Sequence, residues 1–359
     1  MRFSNTYMIY PENRALERAI ANSIGLLSAE MAATAVPDTQ VAVADNFRFT
    51  RGNYEQHRYS SKVFESLREA LEAALTDTPV TAPPAPNINR SQEPLAWAEA
   101  QNSLGNILAA MGQQRRDAEL FERAIQCFGN ALEEFRQEDS PAEWAATQYN
   151  LGTANQSLGR LLDAAKPLKI AVDAYTNALL VWTRDQSPQD WMLTMHQLGA
   201  TLHTHGKLLK GNRQFQKSVV AYKNSLAVLD ADNYALELTA THNNRAAALH
   251  HLAESEENPE RIKEAINSYE KAWTVSMEQQ LPIHLAVICR VNKTTAQHVL
   301  AELTSDAGLA EEVADEFEVI IECFSHALQP LCLRHCQEQM AKARSLALAA
   351  AKGVEICRP

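Results

Sequence analysis

Histidines and cysteines are the residues of this chain whose types and spacing could support chemistry. His203 and His250 lie 47 residues apart, and Cys332 and Cys336 flank His335 at a spacing of four that places both thiols on one helix face. Zinc takes such ligands, but it needs three or four of them and an outer shell of hydrogen bonds. Packed helices lie ~8–10 Å apart, which is long for two histidines on adjacent helices to share one zinc. We therefore interpret the histidines as hydrogen-bonding groups and the cysteines as core residues, and we expect no metal and no other cofactor.

The sequence carries no signature of an enzyme. It lacks Gly-x-Ser-x-Gly, a glycine-rich phosphate loop ending in Lys-Ser or Lys-Thr, and His-Glu-x-x-His. Scattered carboxylates such as Glu133 and Glu134 fall on ordinary helix surfaces and form no acid–base pair. The sequence thus favours a protein that is not an enzyme.

Charge and composition narrow the classes of partner. The net charge is −11 and the pI about 5.5, which argues against nucleic acid or an anionic membrane as the main partner. No run approaches the roughly 18 apolar residues of a membrane span, and residues 1–12 lack the basic start and apolar stretch of a signal peptide. Six thinly spread cysteines fit free thiols in a reducing compartment, so we expect a cytoplasmic protein.

A repeat of 47 residues organises most of the chain. Four features keep this step: a leucine followed by glycine, a proline, a tryptophan and an aromatic residue further on. The leucines are Leu104, Leu151 and Leu198; the prolines are Pro94, Pro141 and Pro188; the tryptophans are Trp97, Trp144 and Trp191; and the aromatic residues are Phe128, Tyr175, Tyr222 and Tyr269. A fixed period of this size indicates a stack of similar small units. We expect each tryptophan to pack at the joint between two repeats.

Each repeat is predicted to form two helices, A and B. Helix A begins at a capped proline, as in Ser140-Pro141-Ala142-Glu143, whose first and fourth residues match a capping box. It is expected to end at a glycine in the left-handed conformation, and three repeats offer Gly112, Gly159 and Gly206. Helix B begins about six residues after the glycine, behind an N-cap such as Asn258.

The chain divides into four predicted parts. These are an N-terminal helical region at 1–76, a proline-rich linker at 77–93, the repeat array at 94–330, and a C-terminal capping helix with a tail at 331–359. Within the first part, helices are expected at about 13–33 and about 54–75. The fifth repeat starts at Pro282 and is looser, because its Ala327-Leu328 pair falls eight residues later than the period predicts.

The repeats resemble the tetratricopeptide repeat. In repeat one the residues that carry the likeness are Ala100, Leu104-Gly105, Leu108, Gly112, Ala124, Phe128 and Ala131. The run from Pro141 to Gly152 looks like the longer bacterial version of this repeat. The likeness covers about 94–328 and departs from the family in its period, since the standard repeat has about 34 residues and HEAT or armadillo repeats have about 40–47. The resemblance implies an all-α, right-handed superhelical solenoid of about five helical hairpins that binds a protein or peptide in a concave groove.

The resemblance also implies which positions of helix A line that groove. The resulting set is polar and nearly uncharged, which suits an extended peptide backbone, and it lacks the lysine and arginine cluster that clamps an anion. Its members are Glu99, Asn102, Asn106, Tyr149, Thr153, Gln156, His196, His203, Asn243, His250, His251, Arg290 and Gln297.

These features favour a non-catalytic scaffold or adaptor that holds a protein or peptide partner, with no nucleic acid or membrane involved. One alternative is a regulatory peptide sensor in which residues 1–76 are the switching element, and packing of those residues into the groove would favour it. A second alternative is a metal-binding or enzymatic protein that uses the groove histidines, which elemental analysis of the purified protein would test.

Overall fold

The computed structural model describes Thr6, Met8, residues 88–324 and residues 330–351. Over these residues the backbone forms eleven α-helices and no strand, which confirms the all-α fold class. None of these helices is both long enough and apolar enough to cross a lipid bilayer. The predicted helices near 13–33 and 54–75, the prolines of the linker and the Ala327-Leu328 pair lie outside the described residues.

The helices follow one another as hairpins, each with an A helix and a B helix. In chain order the A and B helices of the repeats are α1 (Pro94–Arg115) and α2 (Ala118–Leu132), α3 (Pro141–Leu161) and α4 (Ala165–Ala178), α5 (Pro188–Leu209) and α6 (Asn212–Leu226), α7 (Ala231–Glu256) and α8 (Pro259–Glu278), and α9 (Ile283–Thr304) and α10 (Ala307–Phe324). Helix α11 (Pro330–Ala351) comes last. Helix α7 is kinked at Tyr234, where φ is −135° and ψ is 41°.

The described residues divide into two compact units. The first unit ends at Leu208, and the second begins at Leu209 and also includes Thr6 and Met8. In the first unit α1 packs on α2, α2 on α3 and α3 on α4, and α1 also touches α3. In the second unit the same succession of neighbours runs from α6 to α11, while α7 touches α9 and α11 touches both α9 and α10. Each unit is therefore a solenoid-like array in which successive helices pack on one another.

The repeated aromatic residue of each B helix fills the core. Phe128, Tyr175, Tyr222 and Tyr269 are all fully buried, as their fixed spacing predicts. The fifth repeat has Phe317 of α10 at the corresponding position, which is also fully buried and lies 48 residues after Tyr269. Ile320 then takes the place of the small residue that follows each aromatic one. Measured at Phe317, the fifth repeat is one residue longer than the others.

The A helices end later than the glycines predict. Gly112, Gly159 and Gly206 lie inside α1, α3 and α5, before the last turn is complete. The left-handed residues come afterwards and are not glycines. They are Arg116, Asp163, Lys210 and Glu257, with φ between 47° and 53°, and they keep the 47-residue period.

The glycine that follows the repeated leucine of helix A is explained by the close crossing of the A and B helices. A Cβ atom added to Gly105 would lie 2.6 Å from the ring of Phe128, and one added to Gly152 would lie 2.8 Å from the ring of Tyr175. Contacts this short are too close for a packed core unless the neighbouring atoms move. Glycine is thus required here by space and not by backbone conformation.

The B helices begin at the predicted caps. Asp117 and Asn258 each accept hydrogen bonds from backbone N–H groups in the first turn of α2 and α8, at 2.9–3.2 Å. Ala164 holds the same position before α4 and has no side chain to do this. The prediction of a capping box at Ser140 is wrong, because the Ser140 side chain makes no cap hydrogen bond. Helix α3 does begin at Pro141, as predicted.

Trp144 lies at a joint between two repeats, as predicted. It is partly buried against Ala131 and Phe135, which come from the end of the preceding B helix and the turn after it. Trp97 packs on the same cluster, and the guanidinium of Arg90 lies 4.6 Å from the centre of its ring. Trp144 therefore contributes to packing between hairpins, whereas Trp97 packs within its own hairpin.

Candidate binding surface on the A helices

The residues predicted to line a groove lie on the A helices, and most of them have little access to solvent. Ten are buried, and the other three, Glu99, Arg290 and Gln297, are half-buried. The buried ones are Asn102, Asn106, Tyr149, Thr153, Gln156, His196, His203, Asn243, His250 and His251. A partner can touch a buried member only by replacing a contact that the chain now makes with itself.

In the first unit, side-chain amides join consecutive A helices. Nδ2 of Asn150 on α3 donates to Oδ1 of Asn102 on α1 at 3.1 Å, in the protein interior. Asn106, one turn further along α1, is also buried, but neither atom of its amide group has a hydrogen-bond partner in the described structure. The Asn102–Asn150 bond offsets part of the cost of burying two amides, whereas Asn106 lacks this compensation.

A second set of hydrogen bonds links α4 to α3 and α3 to α5. The hydroxyl of Tyr175 donates to Oε1 of Gln156 at 3.2 Å and lies 3.0 Å from Oγ1 of Thr153. Nε2 of Gln156 donates to the backbone carbonyl of Gln197 at 3.5 Å. The repeated aromatic residue thus satisfies two of the predicted residues at once, and both side chains hold the hairpin together.

Tyr149 and His196 occupy the same slot in successive repeats, and both are interior residues. The ring of Tyr149 is 5.5 Å from that of Tyr175 and 5.8 Å from that of Trp182, between ring centres. Burial lowers the pKa of His196 to about 4, so its imidazole is neutral near pH 7. His203, one repeat before His250, is also buried.

Amides join A helices in the second unit as well. Nδ2 of Asn292 on α9 donates to Oδ1 of Asn243 on α7 at 2.8 Å, and Nδ2 of Asn243 donates to Oδ1 of Asn244 at 3.1 Å. All three side chains are fully buried. The Asn243–Asn292 bond occupies the same place in its repeats as Asn102–Asn150, after allowance for the extra residue in the fifth repeat.

Two adjacent histidines near the end of α7 are fully buried. The ring of His250 is 5.9 Å from the ring of His251 and 6.4 Å from that of Tyr269, between ring centres. Its Nε2 lies 3.8 Å from Oε1 of Glu254, and neither of its ring nitrogens makes a hydrogen bond within the described residues. Burial, together with the charge of His335, lowers the pKa of His250 to about 3. This imidazole is therefore neutral under ordinary conditions.

His251 contacts a part of the chain that is far away in sequence. Its Nε2 lies 3.2 Å from Oγ1 of Thr6, and its ring packs 5.6 Å from the ring of Phe215 on α6. Met8, two residues after Thr6, packs against an apolar cluster formed by α7, α8 and α9. The buried members of that cluster are Ala246, Ala247, Leu249, Ala253, Ile262, Ala265, Tyr269, Ala296 and Val299. Both described residues of the N-terminal region thus lie against the second unit.

The last helix packs on the fifth A helix through polar bonds. Oγ1 of Thr295 lies 3.1 Å from Nε2 of His335, and Nδ1 of His298 lies 2.7 Å from Oε1 of Gln339. Burial lowers the pKa of His335 to about 4. Helix α11 therefore covers a side of α9 that carries hydrogen-bonding side chains.

Arg290 on α9 is bonded to the B helix of its own hairpin. Its guanidinium donates to both carboxylate oxygens of Glu316 on α10, at 2.6 and 3.1 Å, and lies 5.5 Å from the centre of the Phe324 ring. This hydrogen bonding lowers the pKa of Glu316, so the pair stays ionised near pH 7. The structure does not bring Arg290 together with the amides and histidines of α7.

The residues that the structure describes do not assemble a metal site. Among them, no group of three or more His, Cys, Asp or Glu side chains is placed to hold a metal ion. Cys332 and Cys336 are buried beside Val313 and Phe317. Contact with Cys332 and burial raise the pKa of the Cys336 thiol well above its usual range. This supports the interpretation of both cysteines as core residues.

Sequence reasoning missed the partners of the predicted residues. Asn150, Gln197 and Asn244 share a slot one position after the predicted one, and they recur every 47 residues. An amide repeated at one helix position was the signal that could have revealed these bonds. The sequence has no comparable signal for Thr6.

Comparison of this chain with protein-family models and with curated proteins finds no match in either.

Proposed function

We propose that the protein is a non-catalytic scaffold or adaptor that binds a protein or peptide partner along its A helices. The contact between Thr6 and His251 carries this proposal, because it joins residues 245 positions apart. A residue from outside the repeats therefore already contacts α7. This supports the use of the surface for binding polypeptide.

The chemistry around His251 also suits an uncharged polypeptide. Burial keeps the adjacent His250 neutral, and the neighbouring cluster of α7, α8 and α9 is apolar apart from the hydroxyl of Tyr269. The imidazole of His251 can bond one polar group, and the apolar cluster beside it can bury one apolar side chain. The tetratricopeptide-like repeat pattern supports the same function by analogy.

Affinity capture with the tagged full-length chain tests the proposal. His251→Phe keeps a flat ring and removes the nitrogen that contacts Thr6, and Lys271→Ala on the exposed side of α8 is the matched control. We expect the wild type and Lys271→Ala to recover the same partner, and His251→Phe to recover much less at equal helix content. Equal recovery by all three chains would count against this surface. Tyr149→Ala is unsuitable for the purpose, since Tyr149 is a core residue.

A regulatory peptide sensor is the second candidate. In that function residues 1–76 are the switching element, and the contacts of Thr6 and Met8 with the second unit favour it. The two candidates differ in whether the N-terminal segment and a partner exclude each other.

A further inference from the structure

We propose that the segment containing Thr6 and Met8 is an internal ligand of the second unit, and that the partner which displaces it presents a hydroxyl residue followed two positions later by an apolar residue. The proposal rests on the function proposed above and specifies both the occupant of the surface and the chemistry of its competitor.

The hydroxyl of Thr6 is one half of the recognition. Its Oγ1 lies 3.2 Å from Nε2 of His251, which is fully buried beside Phe215. A hydroxyl both donates and accepts, so it can bond this nitrogen in either tautomer of the ring. A carboxylate can only accept, and an apolar side chain does neither. The geometry therefore favours serine or threonine at this position of a bound segment.

The side chain of Met8 makes the second contact of the recognition. It packs on a cluster whose surface is built largely from alanines of α7, α8 and α9, including Ala247, Ala265 and Ala296. Small residues leave room for a long side chain, and an unbranched one such as methionine adapts to such a surface. A charged residue placed there would lose its hydration without gaining a partner.

The two contacts come from residues that lie two positions apart in the sequence. Neither Thr6 nor Met8 belongs to a helix or strand. Both side chains remain half-buried. Part of each side chain therefore stays accessible to solvent while it contacts the second unit.

Exchange can be measured with a labelled peptide of the sequence of residues 1–11, using fluorescence anisotropy and the full-length chain. Residues 1–11 of the chain itself are a tethered copy of this probe and compete with it at a high effective concentration. The wild type should therefore bind the probe weakly. In the variant Thr6→Val/Met8→Asp the tethered copy no longer competes, and we expect the probe to bind at least about tenfold more tightly. The milder variant Thr6→Val/Met8→Ala should shift affinity in the same direction if the first variant folds poorly.

Two controls test the chemistry of recognition. In the Thr6→Val/Met8→Asp background, a probe peptide carrying Thr6→Val should bind about fivefold more weakly than the unchanged probe, which is the loss expected for one hydrogen bond. Adding His251→Phe to the same chain should remove this difference, because both probes then lack the bond. Helix content and unfolding midpoint should stay the same in all chains.

Equal probe affinity for the wild type and for both tether variants would overturn the proposal, as would a failure of every chain to bind the probe. These failures are distinguishable from failure of the scaffold function. If capture of a partner still depends on His251 while the probe binds nothing, the internal ligand is refuted and the scaffold remains. If the probe exchanges as expected but no partner depends on His251, the scaffold function is refuted and the internal ligand remains.

Discussion

Nδ2 of Asn292 donates a hydrogen bond of 2.8 Å to Oδ1 of Asn243, and this bond joins α9 to α7 in the interior of the second unit. Asn150 and Asn102 make the corresponding bond between α3 and α1 in the first unit. A buried amide is satisfied only when its partner lies at the right height along the neighbouring helix. These pairs therefore fix how consecutive A helices align along their length.

Replacing one amide of the Asn243–Asn292 pair should leave the other buried without its hydrogen bond, which lowers the free energy of unfolding. Asn292→Leu removes the donor to Asn243 and is expected to lower the free energy of unfolding by about 1–3 kcal/mol. Urea unfolding followed by circular dichroism measures this. The double variant Asn243→Leu/Asn292→Leu should lose less than the sum of the two single variants, because the two residues are in contact. Strict additivity would show that the pair is not coupled.

Two glycines offer a matched test of helix crossing. Gly152→Ala places a methyl group 2.8 Å from the ring of Tyr175, and we expect it to destabilise the protein by about 1–3 kcal/mol. Gly129→Ala on α2 meets no atom within 4 Å and should stabilise by up to about 1 kcal/mol, since alanine is the better helix former. Thermal unfolding of both variants gives the comparison. Similar effects of the two substitutions would mean that Tyr175 moves aside easily.

Stability should fall in mild acid because of the buried histidines. An unfolded histidine takes up a proton near pH 6.5, whereas folded His250 does so only near pH 3, so unfolding binds protons between these values. Stability contributed by the neutral ring is thus fully present above about pH 6.5 and is lost progressively as the pH falls toward the folded pKa. Each such histidine adds a slope of at most about 1.4 kcal/mol per pH unit.

The variant His250→Phe isolates this contribution. It removes the titrating group while Glu254 and His335, the ionisable neighbours of His250, remain in place. We expect the urea midpoint of the variant to depend less steeply on pH between 6 and 4.5 than that of the wild type. Parallel pH profiles would assign the acid sensitivity to other groups.

A missing N-cap can be restored at Ala164. Its backbone, with φ of −111° and ψ of 125°, matches that of Asp117, whose carboxylate caps α2. Ala164→Asp should therefore cap α4 and raise stability by about 0.5–1 kcal/mol, and Asp117→Ala should lower it by a similar amount. Differential scanning calorimetry would follow both. A lower melting temperature for Ala164→Asp would show that the first turn of α4 cannot accept a cap.

The 47-residue period predicted the hairpins and their core because both depend on features that lie within one repeat. An aromatic residue at a fixed place on helix B must fill the space left by a glycine on helix A, as Tyr175 does beside Gly152. The ends of the A helices were misjudged because Arg116, Lys210 and Glu257 adopt a left-handed backbone that sequence rules assign to glycine. Those rules take no account of glycines that are needed for the packing of helix A on helix B.

The environment of the predicted binding residues could not be derived in the same way. Asn102 and Tyr149 share one slot of the repeat, yet Asn102 bonds an amide of the next A helix and Tyr149 packs on Trp182. What such a side chain touches depends on the neighbouring repeat and on its distance, which no pattern within a single repeat contains. The contact of Thr6 with His251 joins residues outside any periodicity.

The bonds that join one A helix to the next, and α9 to the last helix, are of more than one kind. Two amides meet between α1 and α3, an amide meets a main-chain carbonyl between α3 and α5, and a hydroxyl meets an imidazole between α9 and α11. Hairpins of equal length are consequently not interchangeable parts. A chain rebuilt with its hairpins shuffled would bring mismatched donors and acceptors together, so the linear order of the repeats is itself encoded in their interior.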